Sequence, residues 1–318
     1  LSYPPLYPHF LFIPQKSCVL FSLLLIGCSA PQPGLATKAQ HSSLDDCQQQ
    51  GRVAPTQSKG AQMLLNPTGF REYDVRWRYP EDIDLAGMRV LGRSLGTQIH
   101  RRGKPLEIAV GHDYRSYAPA VRDALVAGLV EAGITVKDIG LALSPMMYFA
   151  YQALPTPAIA MVTASHNPNG WTGVKIGFEA PLTHGRDEMA ELKDIALTGS
   201  AVRRPGGRIL QVDGLKDKYL DDLASALTLT RPLRVVCATG NGTASAFAPA
   251  LLERIGATVL PRHTELDHSF PHYNPNPEGH EMLSDMAKTV AETGAELALG
   301  FDGDGDRCGV VDNEGIEI

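Results

Sequence analysis

The sequence predicts an α/β fold arranged as two similar domains with mainly parallel sheets. From about residue 61, short apolar runs alternate with amphipathic stretches, the alternation that places helices between parallel strands. A chain of 318 residues suits about two such domains, and the breaker-rich stretch Thr198 to Gly207 falls where a boundary between them belongs.

Each element has its own signal. Glu107 to Gly111 reads as a buried strand, and Tyr117 to Ala132 carries Val121, Leu125, Leu129 and Val130 at helical spacing before Gly133. Ile134 to Ile139 is the next strand. Ser144 is placed to cap a helix with Pro145 at its first position, running to about Leu154, and Ala158 to Val162 is again a strand. Arg186 to Leu197 reads as a helix that completes a first unit over residues 61–205. In the second unit, residues 206–318, a helix near Gly214 to Ala226 precedes a strand Leu233 to Ala238 and the turn Gly240-Asn241-Gly242. A helix from about Ala244 to Ile255, a strand Thr258 to Leu260 and a proline-rich loop His268 to Pro277 follow. A helix near Glu281 to Thr293 and a strand Ala295 to Gly300 come last. No 20 to 50 residue repeat is present, which excludes a solenoid.

Composition bounds the function classes. With 43% hydrophobic and 20% charged residues the chain is not disordered, and 31 Gly and 23 Pro without a period exclude a collagen-like chain. The formal net charge of −6, with no basic stripe, gives no footprint for a phosphate backbone, so no nucleic-acid partner is expected. Cys237 and Cys308 show no C-x-x-C spacing, which indicates neither a disulfide framework nor a zinc site and suits a reducing compartment.

Residues 1 to 40 differ from the rest. Their only charged side chains are Lys16 and Lys38, and Pro4, Pro5, Pro8, Pro14, Pro31 and Pro33 break any long element. The apolar run Cys18 to Ile26, with Gly27-Cys28-Ser29-Ala30 behind it, has signal-peptide length but is too short to span a bilayer. Residues 1–60, ending in the polar linker His41 to Gly60, are therefore expected to be an atypical leader outside the fold. Leu1 in place of Met fits a reading frame placed too far upstream. On that reading the protein is cytoplasmic with no membrane partner; the alternative is export or lipid anchoring by a real signal in residues 1–30.

Chemistry in open α/β sheets belongs in loops at the carboxyl ends of strands. The loop after Val162 reads Thr163-Ala164-Ser165-His166-Asn167-Pro168-Asn169-Gly170, which exposes a hydroxyl beside an imidazole. Taken alone it reads first as an ordinary turn, and it has neither a G-x-S-x-G elbow nor a triad order. The loop after Gly300 reads Phe301-Asp302-Gly303-Asp304-Gly305-Asp306-Arg307. Carboxylates at alternate positions share one side and repel unless a cation neutralises them, and oxygen ligands of this kind choose Mg²⁺ or Ca²⁺. An EF-hand is excluded, because Arg307 stands where its Gly is required and Asn313 where its Glu is required. A guanidinium beside a cation site suits a bound phosphate, which points to phosphoryl transfer.

Together the two loops resemble those of the α-D-phosphohexomutases, the phosphomannomutases and phosphoglucomutases. Phe70-Arg71-Glu72-Tyr73-Asp74-Val75-Arg76, Gly173-Val174-Lys175, Gly240-Asn241-Gly242 and Asn274-Pro275-Asn276-Pro277 fall in the family's order, and the likeness covers residues 64–318. The resemblance implies two similar three-layer α/β domains with mainly parallel mixed sheets, truncated from a four-domain mutase. It implies that Ser165 carries the catalytic phosphate and that Asp302, Asp304 and Asp306 ligate Mg²⁺ together with an oxygen of the phosphate on Ser165. Arg307 would contact the transferring group, Lys175 and His166 would move protons to and from the sugar, and Tyr73 and Arg76 would line the cleft. The implied reaction moves phosphate between C1 and C6 of a hexose phosphate, mannose or glucose, with the corresponding 1,6-bisphosphate as activator. Alternatives are an inactive fragment that binds Mg²⁺ or sugar phosphate, and a Mg²⁺-dependent phosphatase. Two departures from the family pattern stand out: His112 where an Arg is usual, and Trp77 where a Gly is usual.

Overall fold

The computed structural model describes residues 64–179 and 183–318, so the expected leader and linker, residues 1–60, lie outside the described residues. The first sheet is built from β1 (Asp74–Arg78), β2 (Glu107–His112), β3 (Thr135–Leu141), β4 (Ile159–Val162), β5 (Trp171–Gly177) and β6 (Arg208–Gln211), in the order β1-β5-β4-β2-β3-β6. Its helices are α1 (Leu85–Arg101), α2 (Ala118–Glu131), α3 (Ser144–Ala153) and α4 (Arg186–Thr198). The second sheet contains β7 (Arg234–Ala238), β8 (Thr258–Arg262), β9 (Leu297–Phe301) and β10 (Cys308–Asp312), in the order β10-β9-β7-β8. Helices α5 (Leu215–Ala226), α6 (Ala248–Arg254) and α7 (His280–Thr293) accompany it.

Both sheets are mixed. The strands joined by crossover helices pair in parallel, while β5 runs antiparallel to β1 and β4, and β10 antiparallel to β9. A strand reached by a short loop must return antiparallel, since a parallel partner needs a longer crossover. Strand β6 lies beyond residue 205 and pairs in parallel with β3, so the first sheet reaches to Gln211.

Strand alternation divides the core into layers. Ile108, Val110, Val136, Val162 and Val174 pack with α1 and α2 on one face of the first sheet. On the opposite face Ala109, Ile159 and Met161 join Met146, Met147 and Ala150 of α3. That second apolar layer continues without a break into Leu220 and Leu223 of α5 and into Val235, Cys237 and Leu299 of the second sheet. The far face of the second sheet, with Val236, Ala238 and Ala298, is covered by Met282 and Met286 of α7.

Several elements carry no clear signal in the sequence, and the packing says why. Helix α1 buries Gly87, Gly92, Ser94, Gly96, Thr97 and Gln98 among Met88, Leu91, Leu95 and Ile99, so small and polar residues interrupt its apolar face. Small residues are needed there, since a Cβ at Gly92 would meet the Leu125 carbonyl of α2 at 2.0 Å. All four residues of β6 are exposed, and that strand shows no alternation. The helix expected from Ala244 to Ile255 is divided into a 3-10 turn, Thr243–Ala246, and α6, because Pro249 has no N–H with which to continue the earlier turn. Trp77 is a packing substitution: it is fully buried edge-on against Phe70, with its Nε1 donating to the Asn66 carbonyl at 2.7 Å.

Candidate active site

The carboxyl ends of β4, β2 and β3, neighbours in the first sheet, deliver the serine loop, residues 113–116 and the start of α3 to one edge. The carboxyl ends of β9 and β8 bring the acidic loop and residues 263–277 against them. In the serine loop, Ser165 is 2% exposed and sits in the left-handed region at φ +52°. Its N–H donates to Thr163 Oγ1 at 2.8 Å, and its Oγ donates to Asp302 Oδ2 at 2.9 Å. A side chain from strand end β4 thus meets a carboxylate 137 positions later in the sequence.

The acidic loop folds on itself. Asp302 Oδ1 accepts the backbone N–H groups of Asp306 and Arg307 at 3.0 and 3.2 Å. Gly303 permits the contact with the serine loop, because a Cβ there would lie 2.5 Å from the Ser165 carbonyl oxygen. Asp304 Oδ2 accepts from Ser144 Oγ at 2.5 Å and from Lys175 Nζ at 2.8 Å, and Lys175 also donates to Asp306 at 2.5 Å. Ser144 therefore does not cap its helix as expected: it occupies the first helical position, and its hydroxyl is drawn to Asp304. The helix is capped instead by the acidic loop, since the Ser144 N–H donates to the Asp304 carbonyl at 2.9 Å. The N-terminal end of a helix dipole so placed favours the negative charge beside it.

The charges divide unevenly. Burial, with Asp304 and Asp306 close by, raises the Asp302 carboxyl well above the usual carboxylate range. Burial alone would raise Asp304 as well, but the Lys175 ammonium holds it below that range. For Lys175, burial favours the neutral amine, yet the carboxylates of Asp304 and Asp306 outweigh it and keep the ammonium charged above the ordinary lysine range. Among the described residues, Asp302, Asp304 and Asp306 are the one cluster of His, Cys or acidic side chains placed to hold a metal ion. A cation suits this site, because Asp304 Oδ1 is buried with no hydrogen-bond partner and one ammonium faces three carboxylates.

The other expected residues divide into those brought to the serine and those not. Arg76 reaches the serine loop, donating from Nη1 to Asn167 Oδ1 at 2.5 Å while pairing with Asp74. His166 Nδ1 lies 3.4 Å from Ser165 Oγ. Burial, then Arg307 and Arg76, lower the His166 imidazole below the ordinary histidine value, which leaves it neutral at pH 7. The Arg307 guanidinium donates to Glu278 at 2.9 Å and is half-exposed, so it borders the site without touching Ser165. Tyr73 is 60% exposed and is anchored by its backbone, whose N–H donates to the His184 carbonyl at 3.0 Å.

Sequence reasoning missed Ser144 as a partner of the acids, and it missed Arg115 and Asn274 as partners of the serine loop. Asn274 Nδ2 donates to the His166 carbonyl at 2.6 Å across the two units, and Asn169 Nδ2 to the His268 carbonyl at 2.9 Å. The signal that could have found Arg115 is its place in the loop after a central parallel strand, the same rule that located Ser165.

A family model described as phosphoglucomutase/phosphomannomutase, alpha/beta/alpha domain I, matches residues 67–203, and the corresponding domain II matches residues 217–315. A phosphomannomutase/phosphoglucomutase of Pseudomonas putida is 36% identical over 246 residues, covering 77% of this chain and 52% of that protein. One of Pseudomonas aeruginosa is 35% identical over 249 residues, 78% of this chain and 53% of that protein. A crystal structure of a phosphoglucomutase/phosphomannomutase family protein from Burkholderia thailandensis superimposes with a TM-score of 0.76 at 31% identity, covering 80% of this chain and 57% of that one. The chain spans about half the length of the curated relatives it matches. No helix among the described residues is long and apolar enough to cross a membrane.

Proposed function

The chain belongs to the α-D-phosphohexomutase family, the phosphoglucomutases and phosphomannomutases, and on that premise we propose that it moves phosphate between C1 and C6 of a hexose phosphate through a phosphoserine at Ser165. The observation that carries the proposal is the contact between Ser165 Oγ and Asp302 at 2.9 Å, which sets a nucleophilic hydroxyl against a cluster of three carboxylates. A sugar hydroxyl attacks the phosphorus of phosphoserine, the bond from phosphorus to Oγ breaks, and the sugar becomes bisphosphorylated. Transfer of its other phosphoryl group back to Ser165 completes the exchange. Mannose and glucose phosphates are both candidate substrates, with the 1,6-bisphosphate as activator.

Each residue then has a task. Asp302, Asp304 and Asp306 would hold Mg²⁺, which when bound neutralises charge on the phosphoryl oxygens. The neutral imidazole of His166, 3.4 Å from Ser165 Oγ, is suited to accept a proton from the attacking hydroxyl. The charged Lys175 is suited to donate one and to keep Asp304 and Asp306 ionised. Arg76 orients the serine loop through Asn167, and Arg307, released from Glu278, has the fork geometry to grip a phosphoryl group. Tyr73 contributes an exposed ring to the cleft wall. The thiols of Cys237 and Cys308 fit the cytoplasm, where this reading places the protein.

The test is intact-mass and peptide measurement after incubation with glucose or mannose 1,6-bisphosphate and Mg²⁺. One phosphate on Ser165, absent from Ser165→Ala and from samples with the metal chelated, is expected. No adduct, a phosphate on another residue, or steady release of inorganic phosphate from the bisphosphate would overturn the reading.

A further inference from the structure

Arg115 is only 3% exposed, and all three nitrogens of its guanidinium donate hydrogen bonds. Nε donates to Asp113 Oδ2 at 3.1 Å, Nη1 to the Pro168 carbonyl at 3.0 Å, and Nη2 to the carbonyls of Ser165 and Asn167 at 2.9 and 2.6 Å. Asp113 in turn accepts the Ala164 N–H at 3.3 Å, so the pair grips the serine loop on both sides of Ser165. The Phe270 ring of the second unit lies over the guanidinium at 5.5 Å.

We propose that Arg115 is a positioning residue for phosphoryl transfer: it holds Ser165 in its left-handed conformation, so that Oγ faces Asp302. Three observations converge on this. A serine at φ +52° is held against its own preference, and something outside the residue must supply the restraint. Three of the carbonyls that define the turn end on a single rigid fork, which a point charge such as an ammonium cannot satisfy. The same Ser165 carbonyl that Arg115 binds is the atom closest to a Cβ placed on Gly303, so the fork also sets how near the acidic loop can come.

The rate prediction rests on the phosphoserine reading above; the structural one does not, and the experiment separates them. Arg115→Ala keeps Asp113 and leaves space for a guanidinium ion, Arg115→Lys keeps the charge without the fork, and the double variant D113N/R115M removes the lone buried carboxylate where the single variants fail to fold. In amide hydrogen exchange, peptides over residues 163–170 are expected to lose protection in D113N/R115M while α1 and β2 keep theirs. Phosphorylation of Ser165 by glucose 1,6-bisphosphate is expected to slow about 100-fold in Arg115→Ala, the scale of an ångström of misplacement. Guanidinium chloride at non-denaturing concentration should restore part of that rate. Unchanged exchange in the loop, loss of protection across the whole domain, or a wild-type rate in Arg115→Lys would overturn the proposal. Failure of the wild-type chain to accept phosphate would count against the phosphoserine reading, and the exchange result would still decide the role of Arg115.

Discussion

The acidic loop keeps its shape largely through its own residues: Asp302 accepts the amides of Asp306 and Arg307, and glycines at 303 and 305 allow the tight path. The serine loop is held from outside, by Arg115 beneath its carbonyls, Arg76 on Asn167 and Asn274 on the carbonyl of His166. Damage to the first loop should therefore be local and electrostatic. Damage to the second can arrive from residues far away in sequence and should act through geometry.

The largest expected effect on stability tests the electrostatic side. Lys175→Met would leave Asp304, fully buried, facing Asp306 without its cation, a loss of about 3–5 kcal/mol for a broken buried pair. Thermal unfolding should show the variant melting well below wild type, and Mg²⁺ should raise its midpoint more than it raises that of wild type. Equal responses to Mg²⁺ in the two proteins would show that the acids do not depend on the ammonium for their balance.

A pH effect of similar or smaller size is expected in the first unit. His184, whose carbonyl anchors Tyr73, is held by burial at a value of about 4, below the ordinary 6.5. Because the folded state binds this proton more weakly than the unfolded chain, stability is full above pH 6.5 and is lost as pH falls toward 4. The loss is at most about 3 kcal/mol, from a shift of roughly two and a half pKa units. Denaturant unfolding at several pH values should give a shallower acid slope in His184→Asn, and an unchanged slope would remove His184 from the account.

The smallest change probes the contact between the loops. In Gly303→Ala the new methyl would meet the Ser165 carbonyl, and overpacking of this kind costs about 1–3 kcal/mol. Slower Ser165 phosphorylation with only a modest fall in melting temperature is expected. A variant that melts lower yet phosphorylates at the wild-type rate would mean that the loops are not in catalytic register through this atom pair.

The same contrast explains what could be read in the sequence. The acidic loop was legible because its chemistry lies in consecutive residues, where alternate carboxylates and glycines declare a cation site directly. Lys175 and Ser165 entered through the likeness to a family, since one lysine in a strand and one serine in a turn have no meaning by themselves. Arg115 and Ser144 were not legible as site residues, because their partners lie 50 and 160 positions away. Strands β2 to β4 were visible as apolar runs, whereas α1 was hidden by the glycines and polar residues that let it approach α2. The edge strand β6 was hidden for the opposite reason: exposed throughout, it has no buried face to mark its period.

The apolar layer that runs from Met146 and Met147 through Leu220 and Leu223 to Val235 and Leu299 has a consequence for folding. Neither sheet owns that layer, so separating the chain near residue 205 would leave each part with an uncovered greasy face and a tendency to associate. The two units should melt in one cooperative transition, with the alignment of Ser165 and Asp302 lost at the same temperature as the shared layer and not before it.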